Sequence, residues 1–324
     1  MKISGVYSQV VSRYSFTQRK PAGRLIVMLP GAGCAWYKEG GGCSMCGFHA
    51  SVHKFSRGHI LPSILFKLMC ALALAENRRA YQMAIFNGGS FLNDREIPLN
   101  FQNWLFKRIG RHGKIGELFI ESRCEYLEAR KIELAVEMLG EKKLVVGIGL
   151  ESQDERIRNQ LIRKGLPRIL FEKKIKMLKS LGAISHAYVF FKPLGLSENE
   201  ALQDAIATIK YALDAGVDRL ELSCAFVQEN TPMHRAYQDG AYSLPWLWSV
   251  VQIIREAINK QWPLAIGAFT DEPPPIDAPH NCLNCTPAIN LAIEKYRKEN
   301  VLGDIPDCSC LAKWQGIMQK RIAC

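Results

Sequence analysis

The chain has 324 residues, 48% hydrophobic and 23% charged, which is ordinary globular usage and excludes a disordered, collagen-like or low-complexity polypeptide. Lys and Arg total 42 against 31 Asp and Glu, so the formal charge is +11 and the pI is near 9.1, a balance that suits a polyanionic partner such as nucleic acid. The start "MKISGVYSQVVSRYSFTQRK" has no export-signal core, and the apolar run "LPSILFKLMCALALA" is broken by Lys67 and too short for a bilayer. With 11 cysteines, this predicts a reducing cytoplasm and no membrane partner.

Residues 1–23 are expected as an N-terminal extension. Beyond them, strand-like runs alternate with helical periodicity. "RLIVMLP" (24–30), "YQMAIFN" (81–87), "GELFIES" (116–122), "KLVVGIGLES" (143–152), "SHAYVFFKP" (185–193) and "DRLELSC" (218–224) read as strands, with "WPLAIGA" (262–268) as a seventh. Helices are expected near 60–78, 97–111, 125–139, 168–181, 198–215 and 244–259. This repeat predicts an α/β core over 24–268, a parallel sheet covered by helices, as an open sheet or a full or partial barrel. In each form the chemistry belongs at the carboxyl ends of the strands. From 269 to 324 the texture changes: "TDEPPPIDAPHNC" cannot be helix or central strand, and a small Cys-rich metal-binding module is expected there.

The loop after the first of these strands, "GAGCAWYKEGGGCSMCGFHA" (31–50), carries Cys34, Cys43 and Cys46. Three thiolates are one short of the set for a structural zinc, which His49 or a distant residue would complete. They also suit a cube-type [4Fe-4S] cluster with one iron left open. Glycines 40–42 let the backbone fold tightly there, and Trp36, Met45 and Phe48 are candidates to shield the cluster.

This loop resembles that of the radical S-adenosylmethionine (SAM) superfamily, and its long first gap resembles the Elongator catalytic subunit and its relatives. The resemblance implies a partial (β/α)6 TIM-like barrel. It implies that SAM chelates the open iron and that one electron from an external donor cleaves it to methionine and a 5′-deoxyadenosyl radical. It assigns Gly88, Gly89 and Ser90 of "FNGGSFLND" to the amino group of SAM. Glu121, Ser122 and Arg123 would meet its carboxylate or ribose; Glu151 and Ser152, with Gly147 and Gly149, would pass its ribose and adenine. In "FFKPLGLSENE", Pro193 and Gly195 resemble the adenine-contacting turn, while Ser197 and Glu200 read as a capping box.

"PHNCLNC" and "DCSC" place Cys282, Cys285, Cys308 and Cys310 in two close pairs, with His280 beside them. This is zinc-site spacing; a second iron–sulfur cluster is the alternative, and zinc is preferred because it can staple a tail too short for its own core. Cys70, Cys124 and Cys224 read as buried packers, and Cys324 has no readable role.

Over residues 33–310 the chain resembles the branch of the radical SAM subunit of archaeosine synthase. The resemblance implies action on tRNA in which a partner subunit has joined lysine to a deazaguanine base, followed by cleavage of a carbon–nitrogen bond to leave archaeosine. Gln228, Glu229, Asn230 and His234 are substrate-end candidates. The barrel and tail leave no room for an acetyltransferase domain, so the Elongator reaction is not expected. The other readings are a radical SAM enzyme of another nucleoside or a peptide, and a non-catalytic iron–sulfur and zinc RNA-binding protein.

Overall fold

The computed structural model describes residues 7–47, 56–77, 79–270 and 274–319; Phe48, His49 and Cys324 lie outside them. Its strands are β1 (Tyr7–Ser15), β2 (Lys20–Met28), β3 (Gln82–Phe86), β4 (Glu117–Glu121), β5 (Lys143–Glu151), β6 (Ile184–Phe191), β7 (Arg219–Cys224) and β8 (Leu264–Ile266). They form one sheet in chain order, with β1 antiparallel to β2 and every later pair parallel. The sheet curls into a half-barrel.

Strand parity separates the two faces of the curled sheet. Leu25, Val27, Leu118, Ile120, Leu144, Val146, Ile148 and Leu150 are buried and join the main core with the helices. The opposite parity turns inward, where Ala84, Phe119 and Val145 form a separate small cluster with Phe86, Ile184 and Tyr188. The outer layer comprises α1 (Ala35–Gly40), α2 (Ser63–Glu76), α3 (Leu99–Gly110), α4 (Ala129–Leu139), α5 (Arg168–Ser180), α6 (Glu198–Asp214), α7 (Pro232–Gln238) and α8 (Leu247–Asn259). Helix α6 starts with the expected capping box of Ser197 and Glu200. Cys70, Cys124 and Cys224 are buried, as read from their apolar settings.

The N-terminal residues do more than extend the chain. β1 adds an edge strand, and Thr17 in its hairpin reaches the amino-terminal mouth of the half-barrel. There Arg219 grips Glu117 through two bonds of 3.0 and 3.2 Å, Gln82 donates to the same carboxylate at 2.7 Å, and Thr17 completes the plug. Burial alone would raise the Glu117 pKa, but Arg219 prevails and holds it below the usual range.

The tail also belongs to the barrel. Helix α9 (Thr286–Glu299) runs between the sheet's edges: Glu294 pairs with Arg13 of β1 at 3.0 Å, while the Tyr296 hydroxyl donates to the Leu264 carbonyl of β8 at 2.8 Å. A last helix, α10 (Cys310–Gln319), follows. Among the described residues no helix is long and apolar enough to cross a membrane.

Candidate functional site

The cysteine loop leaves β2 at the carboxyl ends of the parallel strands. Cys34 precedes α1, and its carbonyl accepts the Tyr37 and Lys38 amides at 3.1 and 3.3 Å. Gly41 and Gly42 both have φ +76°, and a Cβ at Gly42 would fall 2.4 Å from the Tyr37 ring. Only glycine lets the chain reverse this closely. The return run is tied down by the Ser44 amide, which donates to the Ile162 carbonyl at 2.8 Å. All three cysteines are half-buried. Burial pushes the Cys34 and Cys43 thiols up, while the cations Arg123 and Lys164 pull Cys43 down.

The turn after β3 presses on this loop. A Cβ on Gly89 would lie 1.9 Å from Glu96 Oε2 and 3.2 Å from the Cys34 Cα. Glu96 is buried and accepts from the Ser90 amide at 2.5 Å, the Ala35 amide at 3.0 Å and Asn93 Nδ2 at 2.9 Å. One carboxylate thus clasps the Gly88–Ser90 turn to the start of α1. No motif marks Glu96, and the sequence reading missed it.

Ser90 Oγ accepts the Arg123 amide at 3.2 Å. The Arg123 guanidinium lies 4.7 Å from the Trp36 ring centre and bonds the Lys164 carbonyl at 2.9 Å and Glu125 at 2.6 Å. Lys164, also missed from sequence, meets Glu151 at 2.7 Å with both side chains largely buried. Gly149 makes room for that pair, since its Cβ would sit 2.0 Å from Lys164 Nζ. Gln228 joins the loop too: its Oε1 accepts the Gly47 amide at 3.1 Å.

Cys34, Cys43, Cys46, Gly88, Gly89, Ser90, Ser122, Arg123, Gly149 and Glu151 therefore gather at one end of the sheet. The remaining candidates lie differently. Ser152 is fully buried and its hydroxyl donates to Asp204 at 2.6 Å, pinning the chain after β5. Gly195, at φ +83°, makes the turn beyond β6 with Leu161 as its neighbour. The Glu121 carboxylate turns into the curl and accepts the Tyr188 hydroxyl. Glu229 and Asn230 are exposed, and His234 is half-buried in α7.

Two buried polar groups test whether a ligand fits here. Both amide atoms of Asn87, at the end of β3, and the hydroxyl of Ser122, at the end of β4, find no hydrogen-bond partner among the described residues. Orphaned donors and acceptors are costly unless something polar satisfies them, so the strand ends suit a polar ligand beside the three thiols.

The second cysteine set has another geometry. Cys282 Sγ lies 3.5 Å from Cys285 and 3.4 Å from Cys308, and Cys285 lies 3.5 Å from Cys310. All four sulfurs fall within 4.8 Å of one another. Tetrahedral zinc at a Zn–S length of about 2.3 Å sets its sulfurs about 3.8 Å apart. An iron–sulfur cube gives each thiolate its own iron and spreads them further. The donor set and spacing fit a zinc ion. Cys282 titrates below an ordinary thiol because the backbone N–H of Cys285 stabilises its thiolate. His280 pairs with Asp277 at 3.6 Å and stands outside the group.

No protein-family model matches the chain. The archaeosine synthase subunit beta of Methanosarcina acetivorans is 28% identical over 302 residues, covering 91% of this chain and 85% of that protein. The subunit beta of Thermococcus kodakarensis is 27% identical over 311 residues, 93% of each. Among solved structures, the Elp3 protein of Methanocaldococcus infernus aligns with a TM-score of 0.53 at 16% identity, over 75% of this chain and 66% of that one. Methylornithine synthase aligns at 0.51 and 13%, over 75% and 63%. The chain spans just under two thirds of these two structures. The chain is thus similar, over nearly its whole length, to archaeosine synthase beta subunits, and its half-barrel fold is like those of Elp3 and methylornithine synthase.

Proposed function

We propose that this protein is a radical SAM enzyme of tRNA modification that cleaves a carbon–nitrogen bond in a lysine adduct of a deazaguanine base, forming archaeosine. The observation that carries this is the packing of the Gly88–Ser90 turn against Cys34, at the strand ends where Arg123 and the Lys164–Glu151 pair converge. The similarity to archaeosine synthase beta subunits supports the substrate.

In this reading Cys34, Cys43 and Cys46 hold a [4Fe-4S] cluster and Arg123 and Lys164 offset its negative charge. The turn at Gly88, Gly89 and Ser90, with Asn87 and Ser122, holds the polar end of SAM. Gly149, Glu151 and the turn at Gly195 border its nucleoside. When bound, cluster and SAM supply a 5′-deoxyadenosyl radical. The protein's own part is to orient the substrate over that position and keep water out. Trp36 contributes to the exclusion: it is wedged against Gly165, and its indole N–H donates to the Arg163 carbonyl at 2.9 Å.

Cys282, Cys285, Cys308 and Cys310 hold zinc, which fastens α9 across the sheet's edges. The charge of +11 suits tRNA, which proteins grip through phosphates and shape. A lysine-transferring subunit and an external reductant complete the system, and the setting is cytoplasmic.

The test is anaerobic reconstitution, followed by reductant, SAM and tRNA bearing the lysine adduct. The expected products are 5′-deoxyadenosine and archaeosine, measured by mass spectrometry. Deoxyadenosine alone would replace this substrate with another nucleoside or a peptide. Neither product, with the cluster present, would leave an RNA-binding protein.

A further inference from the structure

The inside of the curl is unusually charged for a barrel interior. Arg24 of β2 lies over the rings of Phe119 and Phe86, 4.7 and 5.7 Å from their centres, and its Nε finds no acceptor among the described residues. Glu121 ends β4 and accepts the Tyr188 hydroxyl, and Glu221 of β7 stands 3.6 Å from His186 Nε2, which has no hydrogen-bond partner among the described residues. Burial lowers the His186 pKa, so the imidazole carries no full positive charge at pH 7. Burial alone would raise Glu221, but this neighbour holds it below the usual carboxylate range, while Glu121 has no imidazole beside it among the described residues.

Glycines make room for these inward side chains. A Cβ on Gly147 would reach 2.8 Å from Phe119 and 3.2 Å from Glu121 and Tyr188, and one on Gly267 would lie 3.1 Å from Glu221 Oε1. Buried or half-buried charges without full partners are expensive, and a structural core would have replaced them with apolar residues. Two glutamates face one guanidinium, and an ammonium placed beside Glu121 would favour its ionised form over the acid that burial favours, so the pair leaves room for one ammonium and the guanidinium for one carboxylate.

We propose that the curl seats a zwitterionic α-amino-acid head group, its ammonium between Glu121 and Glu221, its carboxylate on Arg24, and its aliphatic chain along Phe119 and Tyr188. This names the part of the substrate that the half-barrel interior recognises, and it rests on the reading of a lysine-bearing base. Glu121 adjoins Ser122 and Arg123 in the chain, so the far end of such a ligand reaches the strand ends where the cysteine loop lies.

The probe is Nε-acetyl-L-lysine, read by saturation-transfer difference NMR on the reconstituted protein, beside 6-acetamidohexanoate, which lacks the ammonium, and N-acetylcadaverine, which lacks the carboxylate. Each half-analogue is expected to bind about tenfold more weakly, the effect of one lost charge pair. Arg24→Gln erases the discrimination against N-acetylcadaverine alone, and Glu221→Gln erases that against 6-acetamidohexanoate alone. Misfolding cannot produce this crossed pattern. No signal from the lysine probe at concentrations on the order of 10 mM, or unchanged discrimination in both variants, overturns the seat. Turnover of the lysine-bearing tRNA without the crossed pattern removes the seat and spares the lyase. The pattern without turnover does the reverse.

Discussion

Cys282, Cys285, Cys308 and Cys310 come together with every sulfur within 4.8 Å, whereas Cys34, Cys43 and Cys46 form no such group among the described residues. The tail set is closed. Four donors fill a tetrahedron and leave no position for a substrate, which is the mark of a structural site. It sits at the starts of α9 and α10, and the Trp248 indole N–H points to Cys310 Sγ at 3.2 Å. The loop set has one donor fewer, a glycine-built reversal, and cations within electrostatic reach. In the proposed reading one chain uses thiols both to fasten and to react, and donor number and spacing separate the two sets.

The largest effect that sharpens this contrast is on activity. Cys43→Ala should reduce 5′-deoxyadenosine formation to background while leaving the thermal transition within about 2 °C of wild type, since a half-buried thiol on a loop supports little packing. A large loss of stability would make the loop structural as well. The converse test removes the tail metal: a Cys308→Ser, Cys310→Ser variant should lose about one zinc per chain by mass spectrometry, and Tm should fall on the order of 10 °C. Iron in place of zinc would erase the proposed distinction between the sites.

A middle-sized effect concerns the charges around the loop. Lys164→Met strands Glu151 and should cost about 3 kcal/mol, or about 5–10 °C in Tm, with most of it restored by adding Glu151→Gln. Failure of the second change to rescue would show that Lys164 acts through other partners. The smallest effect is on pH dependence. Burial raises Glu121 from 4.5 to about 7. A raised acid favours the fold while protonated, below its unfolded pKa, and that contribution is lost as pH rises through about 7. Tm should therefore drop between pH 5 and 8 by a small component that Glu121→Gln removes, and an identical profile in both proteins would contradict the buried setting.

How much was legible differs by region. The parallel strands were readable because two-sided burial leaves continuous apolar runs such as "KLVVGIGLES". β1 was not, because no described side chain in this edge strand is fully buried and its pattern carries no apolar face. The gathering of the four tail cysteines was readable because two close pairs are a local pattern. The resemblance put Ser152 with Glu151 beside a nucleoside; what no sequence window shows is the register shift between Gly149 and Glu151 and the bond from the Ser152 hydroxyl to Asp204.

The alternation of strands and helices, the two cysteine sets and the glycine turns that flank the first are legible along the chain, because each is written within a few consecutive residues. The rest emerges only in the folded structure. It alone shows that the tail sulfurs lie at zinc spacing, that α9 links β1 to β8, and that Glu96 ties the second turn to the first loop. It alone brings Arg24, Glu121, His186 and Glu221 into one interior, from four different strands. The reason is the same each time: their meeting depends on sheet curvature and strand parity, which no window along the chain contains.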